Sequence, residues 1–209
     1  MSETPKNIAI IIGSTRPNRI GDKVAALVKS ILEEATETKA SSPVLSLVDI
    51  ASFNLPPFNE AVLPAMVPAQ AQFAHEHSKA WSAEIGKYDA YIFVTAEWNF
   101  GLPGTTKNAI DYLYHAWIGK PVLIVSYGIM GGLSASESLA KILGGMKLQV
   151  VETKIALTFP DADPAQQMMS PGLLGAMSGK LVEPVAEKWK TDHKNEFIKA
   201  YGELQGKLS

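Results

Sequence analysis

The chain has 209 residues, 46% of them hydrophobic, and a formal charge of -2. That suits one α/β domain with a sizeable core and gives no bulk attraction to nucleic acid or anionic lipid. With no cysteine it has no disulfide scaffold, thiolate nucleophile or cysteine-bound metal, and it fits a reducing, cytoplasmic setting.

The first element is Ile8 to Ile12, an apolar, mostly β-branched run too short for a helix and predicted to be a strand buried on both faces. Gly13 to Arg19 (GSTRPNR) then forms a short polar loop before a helical pattern. Strand, loop and helix aim backbone N–H groups and a helix N-terminus at one point, which favours an anion, usually a phosphate. Two hydroxyls and two arginines in the loop supply further donors and positive charge. An ordinary turn with solvated arginines fits this stretch equally well.

Val24, Leu27, Val28, Ile31 and Leu32 give an amphipathic helix over residues 21–38, broken by Ser41, Ser42 and Pro43. Val44 to Ile50 is the second strand, ending in Asp49. A proline-rich segment, residues 51–68, is long enough to be functional or part of an interface. A helix is predicted over 70–86, a third buried strand over 90–95, and a polar loop from Glu97 to Pro103. A helix follows from Thr105 or Thr106 to about Trp117, then a fourth strand over 122–126. The glycine-rich loop from Tyr127 to Leu133 leads to a helix over 134–144, and residues 148–157 supply a fifth strand. Beyond Phe159 the periodicity weakens, and one helix over 178–204, with a break at Pro184, is the expectation. No apolar run approaches the ~20 residues that span a bilayer, and the start, MSETPKN, lacks the apolar centre of a signal peptide. Of the four histidines only His75 and His77 lie close in sequence. On a helix they would point to different faces, so no metal centre is expected.

Five strands alternating with helices predict a doubly wound parallel sheet, in which ligands bind beyond the carboxyl ends of the strands, where the strand order reverses. In the order 2-1-3-4-5 the loops after strands one, three and four converge on one such point. The first offers a phosphate cradle, and the other two leave room between them for a flat ring.

Three motifs carry a resemblance to a known family: GSTRPNRIG (Gly13–Gly21), TAEWNFGLPGTTKNAIDYL (Thr95–Leu113) and GKPVLIVSYGIMGG (Gly119–Gly132). In order and spacing they resemble the NAD(P)H-dependent FMN reductases, the flavodoxin-like quinone, azo-dye and chromate reductases, over about residues 7–157. The resemblance implies a flavodoxin-like domain over 1–157, with 158–209 as a C-terminal loop and helix extension. It implies bound FMN with NADPH or NADH as co-substrate. The flavin phosphate would be held by Ser14, Arg16, Arg19 and the backbone near Ile20. Glu97, Trp98, Asn99 and Phe100 would border the ribityl chain and ring, with Ser126, Gly128, Gly131 and Gly132 along the other edge. The chain departs from the family pattern at Ala96, Trp98 and Thr106, where proline, tyrosine and leucine are usual.

The implied reaction passes hydride from NAD(P)H through flavin N5 to a quinone-like acceptor in a ping-pong cycle, with no catalytic side chain because the cofactor carries the chemistry. Lys107, Asn108 and Asp111 read as structural contacts. His115 and Trp117 read as packing at a subunit interface, and His75 and His77 as surface residues. The resemblance also implies a homodimer or larger homo-oligomer, with neither nucleic acid nor membrane as partner. A flavodoxin-like electron carrier, an FMN-binding redox sensor with slow turnover, and a phosphate-ligand binder without flavin are the alternatives.

Overall fold

The computed structural model of the protein describes residues 5–35, 42–67, 72–162 and 170–208. Strand β1 (Asn7–Ile12) pairs in parallel with β2 (Val44–Asp49) on one side and β3 (Ala90–Ala96) on the other. Beyond β3 lies β4 (Pro121–Gly128), so the order 2-1-3-4-5 is the observed one. Alternation along the strands decides which side chains meet which helices. Ile8, Ile10 and Ile12 join one core with α1 (Gly21–Ala35), while Ala9 and Ile11 join the core on the opposite face. That second face is covered by α2 (Glu76–Gly86), α3 (Gly104–Asp111) and α4 (Leu133–Gly145).

The fifth strand differs from its sequence expectation. It is two short strands, β5 (Gln149–Val150) and β6 (Ile155–Thr158), pairing with opposite ends of β4. The polar residues Glu152, Thr153 and Lys154 between them leave the ladder. Thr153 instead donates its N–H and hydroxyl to the Glu203 carboxylate, at 2.9 and 2.6 Å. A side-chain acceptor on a neighbouring helix thus replaces strand pairing.

Two helices, α6 (Glu183–Asp192) and α7 (Lys194–Gly206), divide the expected 178–204 helix, and α5 (Pro171–Met177) precedes them where a loop was expected. Gly179 has φ 81°, Pro184 restarts the chain in the first turn of α6, and His193 sits between α6 and α7 with ψ near 0°. Ser170 followed by Pro171 is a helix-start signal that the sequence reading passed over as loop. The Ser170 side chain accepts from the Leu173 N–H, and Pro171 takes a position needing no donor. Val185, Trp189, Phe197, Tyr201 and Leu204 pack these elements into the core shared with α1 and the sheet.

Helix α3 is also shorter than predicted, ending at Asp111. Trp117 beyond it is wholly buried against Tyr91, Phe93 and Trp81, so it belongs to the core of this chain and not to a subunit interface. Exposed His115 meets the Ala65 carbonyl at 3.1 Å. Asn108 is structural as expected: it donates to the Pro56 carbonyl at 2.7 Å and accepts from the Phe58 N–H at 3.0 Å, clamping the proline-rich segment to α3. Lys107 and Asp111 form a half-exposed ion pair one helical turn apart. The expected helix start at Gln70 lies outside the described residues. His75 precedes α2 in extended backbone, so its ring does not diverge from that of His77 but stacks on it at 5.1 Å.

Trp189 joins the C-terminal helices to the sheet, donating from Nε1 to the Thr158 carbonyl at 2.6 Å and packing on Phe159. Trp189→Ala should destabilise the fold by about 3–5 kcal/mol, as for other buried aromatic truncations. The urea unfolding midpoint measures this, and a change below about 1 kcal/mol would mean that these helices are only loosely attached.

Candidate functional site

A cavity of about 370 Å³ opens at the carboxyl ends of β1, β3 and β4. Its floor is the loop after β1, whose carbonyls are taken by side chains of α3 and of the loop itself. Thr106 Oγ1 donates to the Gly13 carbonyl at 2.8 Å, Arg19 Nη1 to that of Ser14 at 2.8 Å, and Arg16 Nη2 to that of Asn18 at 3.0 Å. Among the described residues, the N–H groups of Ser14, Thr15, Arg16 and Ile20 reach no protein acceptor. With the first turn of α1 just behind, the loop presents unpaired donors beside two guanidinium groups, as an anion requires. Arg19 is also ion-paired with Asp49, whose other oxygen caps the 3-10 turn after β2. Arg19 therefore shapes the loop as well as charging it.

The loop after β3 forms one wall. Trp98 and Gly101 exchange two backbone hydrogen bonds of 3.0 Å, closing a tight turn in which Asn99 (φ 47°) and Phe100 (φ 61°) are both left-handed. Asn tolerates that conformation, whereas Phe is strained in it. Phe100 is nonetheless 88% exposed at the rim, so its own burial does not compensate the strain. Glu97 borders the cavity, but its carboxylate accepts from the N–H groups of Ser134 and Ala135, at 2.8 and 3.3 Å. It caps the N-terminus of α4, which suits a negative charge.

The loop after β4 supplies Gly128, Ile129 and Met130. Ser126, Gly131 and Gly132, expected along the ring edge, lie behind the cavity lining. Ser126 Oγ donates to the Gly131 carbonyl at 2.7 Å. Gly132 has φ 72°, and a Cβ there would lie 3.0 Å from the Tyr127 backbone. These residues make the turn that carries its neighbours to the site. Of the other residues singled out from sequence, Ser14, Arg16, Arg19, Ile20, Glu97, Trp98, Asn99, Phe100 and Gly128 all border the cavity.

Sequence reasoning missed Tyr127, Met130, Phe159, Leu173, Ala176 and Met177 as lining residues. Tyr127 and Met130 sit inside a quoted motif, and their place at a strand's carboxyl end was the available signal. The last four follow β6, where the hydrophobic period had faded, and only the Ser170–Pro171 pair marked a helix.

The Tyr127 hydroxyl lies against Ser14 beneath the loop, and burial pushes its pKa up to about 12 although the Ser14 hydrogen bond and both arginines pull it down.

The residues fit FMN: unpaired donors and arginines for a phosphate, then a slot walled by Trp98, Gly128 and apolar side chains for a flat ring. Comparison with known proteins agrees. The model of the NADPH-dependent FMN reductase family matches residues 6–160. An NAD(P)H-dependent FMN reductase of a Nectria species is 43% identical over 95% of this chain and 94% of its own length. A quinone reductase of Escherichia coli is 28% identical over 94% of both chains. Among solved structures, a flavoenzyme NAD(P)H:(acceptor) oxidoreductase of Paracoccus denitrificans superposes with a TM-score of 0.62 at 19% identity, covering 94% of this chain and 97% of that one. The chain belongs to the NADPH-dependent FMN reductase family. It is an oxidoreductase with FMN as cofactor and NAD(P)H as co-substrate.

Two outcomes follow from this geometry. Phe100→Gly relieves left-handed strain while giving up little burial, so it should stabilise the fold by about 1 kcal/mol, read from urea unfolding, while slowing turnover. For Tyr127, the folded state keeps the phenol proton where the unfolded chain releases it. Its contribution is therefore complete below pH ~10 and lost as pH rises through about 12, at up to about 1.4 kcal/mol per pH unit. Urea midpoints should fall less steeply in Tyr127→Phe than in the unsubstituted chain across that window.

Proposed function

We propose that the chain oxidises NAD(P)H and reduces a quinone-like acceptor by a ping-pong cycle, the two substrates occupying the cavity in turn. The observation that carries this reading is the joining of an anion cradle to an apolar slot whose one carboxylate, Glu97, is turned away to cap α4. When bound, FMN supplies the atom that accepts and gives up hydride. Ser14, Arg16, Arg19 and the Ile20 N–H hold its phosphate, and Trp98, Asn99, Phe100 and Gly128 border its ring. Glu97, Ser126, Gly131 and Gly132 fix the loops that do so. Such a site excludes water and orients flat molecules, and it needs no acid–base pair.

Among the described residues no helix is long and apolar enough to cross a membrane. Trp98, Phe100 and Met130 expose apolar surface around the cavity mouth, which supports a homodimer packed there. A cytoplasmic enzyme is the setting we infer from the absence of cysteine.

Initial rates with NADPH and a benzoquinone varied together should give parallel double-reciprocal lines. Intersecting lines would require both substrates to be bound at once and would overturn the shared cavity.

A further inference from the structure

We propose that α5 is the wall that sets which acceptors the cavity admits, with Leu173 and Met177 defining its width and Arg16 as the positioning residue that keeps it in place. The proposal rests on the reading above and adds the determinant of acceptor size.

Leu173, Ala176 and Met177 face the cavity together with Phe159, completing a slot whose other walls are the loops after β3 and β4. Helix α5 is held at both ends. At its start Gly172 donates to Asp161 Oδ2 at 2.7 Å, and the Ser170 side chain caps it. At its end Arg16 donates to the Met177 carbonyl from Nη1 and to the Ala176 carbonyl from Nη2, both at 3.2 Å. Both lie in the last turn, where helix carbonyls run short of intrahelical donors, and that of Ala176 also accepts from the Gly179 N–H at 3.2 Å. With Asn18 also taken, Arg16 keeps its Nε–H and one Nη1–H for a ligand. One guanidinium thus ties the anion cradle to the apolar wall. Just past the helix, Gly179 lies so close to the Asn18 backbone that a Cβ would come within 3.0 Å of it.

The chemistry of the wall names the class of acceptor. The charged side chains at the cavity are Arg16 and Arg19 at the phosphate end, and Glu97, which is committed to α4. The α5 end offers hydrocarbon and thioether surface. Met177, 46% exposed, and Met130, 56% exposed, are unbranched side chains that can adjust to flat rings. A neutral, planar acceptor fits there, and an oxyanion does not.

In a ping-pong cycle the ratio of kcat/KM for two acceptors cancels both the flavin loading and the reductive half-reaction, so it reads acceptor fit alone. Met177→Ala should raise the ratio of kcat/KM for a naphthoquinone over a benzoquinone at least fivefold. Met177→Trp should lower it at least fivefold. In both, FMN affinity should stay within about twofold of the unsubstituted chain. Arg16→Lys should weaken FMN binding and, with FMN held at saturation, lose discrimination between the two quinones, because one ammonium cannot bridge the carbonyls of Ala176, Met177 and Asn18. An unchanged quinone ratio in both Met177 variants overturns the proposal, as does loss of FMN from both, which would make α5 a purely structural support. Absence of NADPH-driven turnover in the unsubstituted, FMN-loaded chain would instead overturn the reductase reading itself.

Discussion

Much of this structure depends on how the loop after β1 disposes of its carbonyl groups. A loop that turned its oxygens toward the cavity would repel a phosphate, and one that paired its N–H groups internally would have nothing to offer it. Here Thr106, Arg19 and Arg16, from α3 and from the loop itself, take the oxygens of Gly13, Ser14 and Asn18. Each such bond contributes on the order of 1 kcal/mol to stability. Their greater effect is directional, since they leave the donor side of the backbone facing the cavity. Thr106, wholly buried, is part of that arrangement.

The sheet provides the rigidity that this needs. β1 and β3 are buried on both faces and joined in strict register, so their loops emerge side by side. Glu97 then locks the β3 loop to α4, and Ser126 ties the β4 loop to its own turn. The strained turn at Asn99 and Phe100 is held from both ends by backbone bonds, and it displays an aromatic ring at the cavity rim. Asn18, left-handed at φ 54° in the phosphate loop, is another local cost at the same site. Strain gathered around a cavity on an unstrained sheet is consistent with function set on a scaffold.

The strands were legible because Ile8–Ile12, Ala90–Thr95 and Val122–Ser126 are unbroken apolar runs, and nothing but a buried strand of a parallel sheet suits runs so short. The β1 loop was legible from its hydroxyls and arginines, although sequence could not show that Arg16 and Arg19 also serve carbonyls. The edge of the sheet was not legible. Residues 148–157 carry apolar ends around the polar Glu152, Thr153 and Lys154, and the partner that draws this middle out of the ladder, Glu203, lies about fifty positions away in the chain. Trp117 was misread for a similar reason: a tryptophan at a helix end gives no sign of which surface will cover it, and here the covering rings come from α2 and β3. The α5 wall escaped notice because its seven residues make barely two turns, too few for the apolar period to register.

The central claim is that three strand ends build one flavin site at which NAD(P)H and an acceptor meet in turn. Its most direct test is the absorbance spectrum of the purified protein, loaded with FMN, gel-filtered and mixed anaerobically with NADPH before a quinone is added. The structure predicts a retained yellow chromophore that bleaches within seconds and returns on adding the quinone. A flavin that stays oxidised under NADPH, or a protein that leaves the column colourless, would contradict it.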